Sequence, residues 1–171
     1  MPKMLKIEPA KCTGCMQCEL ACSWVQTGTF QPSRSVIRVN VFDEEASYAP
    51  YTCLQCDEAW CMNACPVNAI TVDENTGAKV VIDKLCIGCH LCTIACPFGT
   101  VFTLPQTDKA TKCNLCGGDP ACAHSCPTGA IEYADMDQAG AWFAAWGDKV
   151  NRNFLSAQRD DIAGKTRGEA L

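Results

Sequence analysis

Short apolar runs bounded by turn residues recur along this chain. Residues 69–72 and 79–82 are two such runs, and the segment between them, 73–78, is rich in turn-forming residues. Two short runs joined in this way predict a β-hairpin. The opening of the same pattern returns at Pro127–Tyr133, so residues 5–7 are expected to supply the strand that matches it.

Two further segments have an extended pattern. Residues 35–42 predict a strand, because Ile37, Val39 and Val41 alternate with polar residues and would share one face. Residues 101–104 predict a short extended stretch inside a connection that is otherwise loop.

The last part of the chain has a different period. Apolar residues at helical spacing predict one helix with an apolar face, formed by Trp142, Phe143, Trp146, Val150 and Phe154. This face either packs on the chain's own core or docks on a larger subunit, because exposed Trp and Phe are common interface anchors. Residues 156–171 are polar and are expected to be loosely held.

Sixteen cysteines in 171 residues bring chemistry into this pattern. They form four groups of four: Cys12, Cys15, Cys18 and Cys22; Cys53, Cys56, Cys61 and Cys65; Cys86, Cys89, Cys92 and Cys96; and Cys113, Cys116, Cys122 and Cys126. Groups one and three have the spacing of bacterial ferredoxins, and groups two and four are the same motif with two and three residues inserted before the third cysteine. In groups two, three and four, proline follows the last cysteine.

The spacing predicts four [4Fe–4S] clusters, with all sixteen cysteines as ligands. Three closely spaced cysteines can curl around one cube. The fourth is expected on the first turn of a helix that leads away, so it would serve a different cube. Motifs of this kind work in pairs, and structural zinc or a disulfide framework does not account for four groups that all end in x3-Cys.

The predicted fold class is α+β, with two ferredoxin-like units of short hairpins and short helices. Residues 1–133 would form this tandem domain, in which groups two and three make one unit and groups one and four make the other. Residues 134–171 would form a helical and polar tail that is a possible docking element.

Net charge and hydropathy limit the partners and the cellular location that we expect for the protein. The formal charge is −5, and four clusters with their thiolates bring it to about −13. Nucleic acid would repel such a chain, whereas partners with basic patches would attract it. The opening residues lack the apolar core of a signal peptide, and no run is long enough for a membrane span. We therefore expect a cytoplasmic protein, although a partner with its own signal could export it.

Four charged or titratable residues accompany the cysteines. His90 and His124 lie inside groups three and four, where no cysteine is replaced, so they are expected to be polar neighbours of a cluster. Lys109 and Lys112 precede group four. They belong either to a solvated loop or to a positive charge that raises the potential of a nearby cluster.

With these motifs, the chain resembles the four-cluster iron–sulfur subunits of the dimethyl sulfoxide reductase and formate dehydrogenase type. The resemblance covers about residues 3–133. It rests on all four cysteine groups, on residues 112–116 (Lys-Cys-Asn-Leu-Cys) and on residues 33–39 after group one. In group one, Ser23 occupies the position after the last cysteine at which the other three groups have proline.

The resemblance implies cross-ligation between groups. It implies four ligand sets: Cys12, Cys15, Cys18 with Cys126; Cys113, Cys116, Cys122 with Cys22; Cys53, Cys56, Cys61 with Cys96; and Cys86, Cys89, Cys92 with Cys65.

It also implies a function without a substrate of its own. Such a subunit connects a larger molybdenum- or tungsten-pterin subunit to another redox partner. Similar small subunits accompany tungsten-dependent aldehyde oxidoreductases, often with a flavin subunit. We expect a non-catalytic electron-transfer subunit of a hetero-oligomeric oxidoreductase, with a free-standing polyferredoxin as the alternative and a structural zinc module as the remote one.

Overall fold

The computed structural model describes residues 3–44 and 46–135. The predicted tail helix and the polar end of the chain lie outside these residues. Within the described ranges, no helix has the length and apolar character needed to cross a bilayer.

Eight short strands pair into four antiparallel two-stranded sheets in the described part of the chain. The pairs are β1 (Lys3–Ile7) with β8 (Ile131–Asp135), β2 (Arg38–Phe42) with β3 (Ser47–Tyr51), β4 (Ile70–Val72) with β5 (Lys79–Val81), and β6 (Phe102–Thr103) with β7 (Ala110–Thr111). Four α-helices alternate with them: α1 (Gln17–Thr27), α2 (Trp60–Asn63), α3 (Leu91–Ala95) and α4 (Ala121–His124).

The predicted pairing of residues 5–7 with the strand after group four is confirmed. Strand β1 pairs with β8 over five residues, with Leu5 opposite Tyr133 and Ile7 opposite Ile131. The predicted hairpin is also present as β4 and β5. Its turn is held by Asp73, whose carboxylate accepts a hydrogen bond from the Thr76 backbone N–H at 3.0 Å.

The expected strand over 35–42 is wrong for its first three residues. Strand β2 begins only at Arg38, and Val41 is exposed. The Ser35 hydroxyl bends the chain before this point: it donates to the Ile37 carbonyl at 2.6 Å and accepts from the Ile37 N–H at 3.2 Å. The side chain of Ile37 is therefore buried because the chain bends at Ser35, and not because Ile37 lies on the inner face of a strand.

We define the terminal unit as residues 3–44, 46–51 and 112–135, and the central unit as residues 52–111. The larger core lies mainly in the terminal unit, and its fully buried members include Ile7, Val36, Ile37, Leu115 and Ile131. The smaller core lies in the central unit and is centred on the side chains of Ile70, Cys92 and Val101.

Candidate iron–sulfur centres

Each cysteine group is built from a tight loop followed by a helix. In groups one and three the loop contains a glycine with positive φ, Gly14 at +70° and Gly88 at +72°. A Cβ on Gly14 would lie 2.6 Å from the Tyr48 ring, and one on Gly88 would lie 2.8 Å from the Asp108 carbonyl oxygen. Glycine is therefore needed here both for the backbone conformation and for the close approach.

The third cysteine of each group has a common position in the fold. It is the second residue of the helix that follows the loop, as Cys18 in α1, Cys61 in α2, Cys92 in α3 and Cys122 in α4. The helix start thus orients three thiols of one group toward the space beside the loop.

The fourth cysteine does not lie on the first turn of a helix, so that expectation is wrong. Residues Cys65 and Cys126 follow the ends of α2 and α4, and Cys96 caps the end of α3. The proline after each of them has no N–H with which to continue the helix. In group one Ser23 supplies that N–H, so Cys22 lies inside α1, which continues to Thr27.

The turn after each Cys-Pro pair supplies hydrogen bonds to the sulfur. The Ala69 backbone N–H donates to Cys65 Sγ at 3.2 Å. Burial acts to raise the pKa of Cys96, but hydrogen bonds from the Thr100 hydroxyl and from the backbone of residues 98–100 lower it below its usual value. The pKa of Cys126 is lowered in the same way by Thr128 and nearby backbone N–H groups, which outweigh burial. These turns favour the thiolate form, which is the cluster ligand.

Two cavities lie in the central unit, and each combines three cysteines of one group with the fourth cysteine of the other. The cavity that we call site I, about 390 Å³, is lined by Cys86, Cys89, Cys92 and Cys65. Site II, about 340 Å³, is lined by Cys53, Cys56, Cys61 and Cys96.

Two further sets of thiols lie in the terminal unit. Site III consists of Cys113, Cys116, Cys122 and Cys22. Burial raises the pKa of the first three thiols, that of Cys113 to about 12, and the nearby charge of Cys22 raises each of them further. Site IV is a cavity of about 290 Å³ lined by Cys12, Cys15, Cys18 and Cys126.

Consecutive sites are neighbours. In each case burial is the largest cause of a raised thiol pKa, and a cysteine of the next site adds to it electrostatically. The pairs are Cys92 with Cys61 between sites I and II, Cys113 with Cys53 between II and III, and Cys122 with Cys18 between III and IV. The four sites are therefore linked in the order I, II, III, IV, and we call this order the row.

The donor set of each site fits an iron–sulfur cluster. Four thiols line each of sites I, II and IV, the thiols of site III interact electrostatically, and thiolate is the ligand that these clusters take. In the described part of the chain, no three ligand side chains are placed to hold a single metal ion. The four thiols are instead spread around one cavity in sites I, II and IV, as ligands of a cube of iron and sulfide are.

The sequence left one feature of the site undetected. Gln55, in the loop between Cys53 and Cys56, donates from its side-chain amide to the Cys113 carbonyl at 2.8 Å. Its amide oxygen accepts from the Lys79 backbone N–H at 2.9 Å and from Lys112 Nζ at 3.4 Å. The only local signal was its place inside a cysteine motif.

The four residues expected near clusters have different surroundings. Lys112 is buried and lines site II, so the solvated-loop interpretation is wrong for it. Lys109 Nζ pairs with the Asp83 carboxylate at 3.1 Å. His90 lines site I and contacts the Asp108 carboxylate at 3.2 Å, whereas His124 pairs with Asp119 at the surface.

Known proteins share these motifs. The 4Fe–4S dicluster domain matches residues 44–136, and a second 4Fe–4S dicluster domain matches residues 11–69. The two matches overlap in group two, so they do not by themselves decide which groups share a site.

Two relatives are oxidoreductase subunits by name. The chain is 45% identical, over 70% of its length and 69% of the relative's, to the polyferredoxin-like subunit of aliphatic sulfonate oxidoreductase from Pyrococcus furiosus. It is 32% identical, over 75% of its length and 73% of the relative's, to the thiosulfate reductase electron transfer subunit PhsB from Salmonella typhi. Two other relatives are longer, and the chain spans 32% and 25% of their lengths.

A solved structure is similar in outline. It is the active site complex BamBC of benzoyl coenzyme A reductase, at a TM-score of 0.47 and 25% identity over 77% of this chain and 76% of that one. The dicluster match over more than half of the sequence, together with its sixteen cysteines, identifies this chain as a member of the 4Fe–4S dicluster domain family that carries four [4Fe–4S] clusters and transfers electrons.

Proposed function

We propose that this chain is a subunit that relays electrons between the catalytic subunit of an oxidoreductase and a second redox partner. The observation that carries the proposal is the row of four sites with an exposed cysteine at each end, Cys89 in site I and Cys15 in site IV. When bound, each [4Fe–4S] cluster supplies a one-electron carrier. The chain's own residues hold these carriers in order and shield those in the middle.

The ligand sets of sites I to IV are part of this proposal. Three observations support them: the cavities of sites I, II and IV, the charge of Cys22 acting on the thiols of site III, and the hydrogen bonds that favour thiolates at Cys96 and Cys126. Each site then takes its fourth ligand from a distant motif, so the clusters also cross-link the chain.

The surface near site I supports a protein partner. Ile87, Leu91 and Ile94 are exposed around the exposed Cys89, and Ile94 retains 80% of its accessible area. Several exposed large apolar side chains next to a redox site are typical of an interface. It would bring the partner's redox group close to this end of the row.

The identity of the partner is a further part of the proposal. We propose a larger molybdenum- or tungsten-pterin subunit, with a flavin subunit as a possible third component, in a cytoplasmic hetero-oligomer. The relatives named as subunits of sulfonate and thiosulfate oxidoreductases support a catalytic partner of this general kind. The holoprotein charge of about −13 favours partners with basic surfaces.

Anaerobic purification of the chain at native expression tests this function. The expected result is a complex whose other subunits are identified by mass spectrometry, with about four irons and four sulfides per cluster in this chain. A matched preparation in 1 M salt would show whether charge contributes to the assembly, since screening weakens such contacts. A lone chain with four clusters would instead support a free polyferredoxin, and a chain with zinc and no sulfide would contradict both.

A further inference from the structure

We propose that Lys112 is the buried counter-charge at the junction of sites II and III, and that it raises the reduction potential of the cluster in site II. Gln55 and Lys79 hold its ammonium group in place. The inference rests on the proposed electron-transfer function, because it assigns an electrostatic role inside the row of sites.

The location of Lys112 carries the first step. It follows strand β7 and directly precedes Cys113 of site III, yet its side chain lines the cavity of site II. Only 4% of the residue is exposed to solvent. A charge in this place is screened by protein and not by water, so its field reaches both sites.

The second step is the way in which the ammonium group is held. Lys112 Nζ donates to the Lys79 carbonyl and to Gln55 Oε1. Gln55 has a left-handed backbone with φ of +50°, and its amide also bonds to Cys113 and to Lys79. Burying a charge is costly unless hydrogen bonds compensate it, and this network supplies them.

The third step concerns the missing carboxylate. The ion pairs in the described part of the chain involve other cations, and none of them includes Lys112. The nearby negative charge is that of the cysteines, and Lys112 acts electrostatically on Cys61 of site II. The negative charge of a cluster bound in site II, together with its thiolates, would therefore balance Lys112 in place of a carboxylate.

The expected consequence is a difference between sites I and II. Reduction adds an electron, so a nearby positive charge stabilises the reduced state and raises the potential. Site II is lined by Lys79 and Lys112, whereas site I is lined by His90 and Asp108. The same four-thiolate ligation thus meets two lysines at site II and a histidine–carboxylate pair at site I.

The test is a redox titration of the anaerobically purified holoprotein, followed by electron paramagnetic resonance. In Lys112→Met, the ratio of reduced to oxidised protein at the wild-type midpoint should fall at least tenfold for one of the four clusters, which is a fall in that midpoint of at least about 59 mV for one electron. Lys112→Arg keeps the charge and should shift that midpoint by less than half as much. Lys109→Met, in which the lost lysine is paired with Asp83, is the matched control and should leave all four midpoints unchanged.

A second variant keeps the proposal testable if Lys112→Met loses a cluster. Gln55→Glu places a carboxylate beside Lys112 in nearly the same volume, so it should lower the same midpoint while Lys112 remains. Four unchanged midpoints in Gln55→Glu would overturn the proposal and leave Lys112 a purely structural role. This outcome is distinct from failure of the proposed function, which would appear in the wild type as missing clusters or missing partners.

Discussion

The terminal and central units carry the same cysteine motif in different surroundings. In the terminal unit, Cys18, Cys22, Cys113 and Cys122 are buried, whereas only Cys92 among the cysteines of the central unit is buried. The terminal unit has an eleven-residue helix α1 and five-residue strands β1 and β8, while the central unit has helices of four and five residues and strands of two and three.

This difference shows that the spacing of the cysteines does not decide how far the ligands of a cluster are buried. Proline ends the helices of groups two, three and four, so those helices are only four or five residues long, yet Cys92, Cys113 and Cys122 of these groups are buried.

Ser23 lets α1 continue, and its hydroxyl donates to the Leu20 carbonyl at 2.9 Å. Helix α1 then reaches the loop of group four, where Gln26 Nε2 donates to Asn114 Oδ1 at 3.2 Å. From α1 the larger core includes only Cys18 and Cys22, so the extension beyond Ser23 adds contacts with group four and not core volume.

Substitution of a single cysteine ligand in each unit should have the largest effect and tests this comparison. Cys22→Ser should remove the cluster of site III and unfold much of the terminal unit, because a hydroxyl would be left in an apolar core. Cys89→Ser, at an exposed ligand of the central unit, should lose one cluster with the fold retained. Iron content and circular dichroism measure both outcomes.

A comparison of Cys22→Ser with two other ligand variants tests the ligand sets. Cys22→Ser should resemble Cys116→Ser in its electron paramagnetic resonance spectrum, since both belong to site III. If it resembled Cys15→Ser instead, group one would hold a cluster by itself and the crossed ligand sets would be wrong.

Substitutions in the two hydrophobic cores should have an intermediate effect on the free energy of unfolding. Ile131 is 2% exposed opposite Ile7, and Ile70 is 3% exposed in the smaller core. Ile131→Ala should lower the free energy of unfolding by an amount in the upper half of about 2–5 kcal/mol, and Ile70→Ala by about 2 kcal/mol, because fewer groups surround the second cavity. Anaerobic urea unfolding of the holoproteins measures the difference, and equal losses would contradict unequal cores.

At the glycines with positive φ, the order of the two units should reverse. Gly28→Ala is the control: its φ is +68° and no atom lies within 4 Å of the added Cβ, so only about 1–2 kcal/mol of backbone strain is expected. Gly14→Ala should exceed it slightly, since the Tyr48 ring can move. Gly88→Ala should cost about 1–3 kcal/mol beyond the control, because its neighbour is the backbone of Asp108.

Urea midpoints of the three holoproteins rank these glycine variants. If Gly88→Ala lowered the urea midpoint no more than Gly28→Ala does, the close approach of the Asp108 carbonyl would not affect stability. The terminal unit would then be the more sensitive one at every kind of position.

Much of the fold could be predicted because its signals are local. The strands at residues 5–7, 69–72 and 79–82 follow from short apolar runs and turn residues, and each is present within one or two residues of its expected bounds. The expected strand over 35–42 failed because the Ser35 side chain bonds to Ile37, which overrides the alternation. Side-chain competition of this kind is not visible in a pattern of apolar positions.

The sequence by itself determined the cofactor and its number, because cluster ligation depends on cysteines that lie a few residues apart. The tertiary structure decided which charges surround each set of thiols. Gln55 is separated from Lys112 by 57 residues and from Cys113 by 58, so their contacts exist only after the two units have packed together. Local covalent spacing specifies the ligands, whereas long-range packing specifies the electrostatic surroundings that distinguish one site from the next.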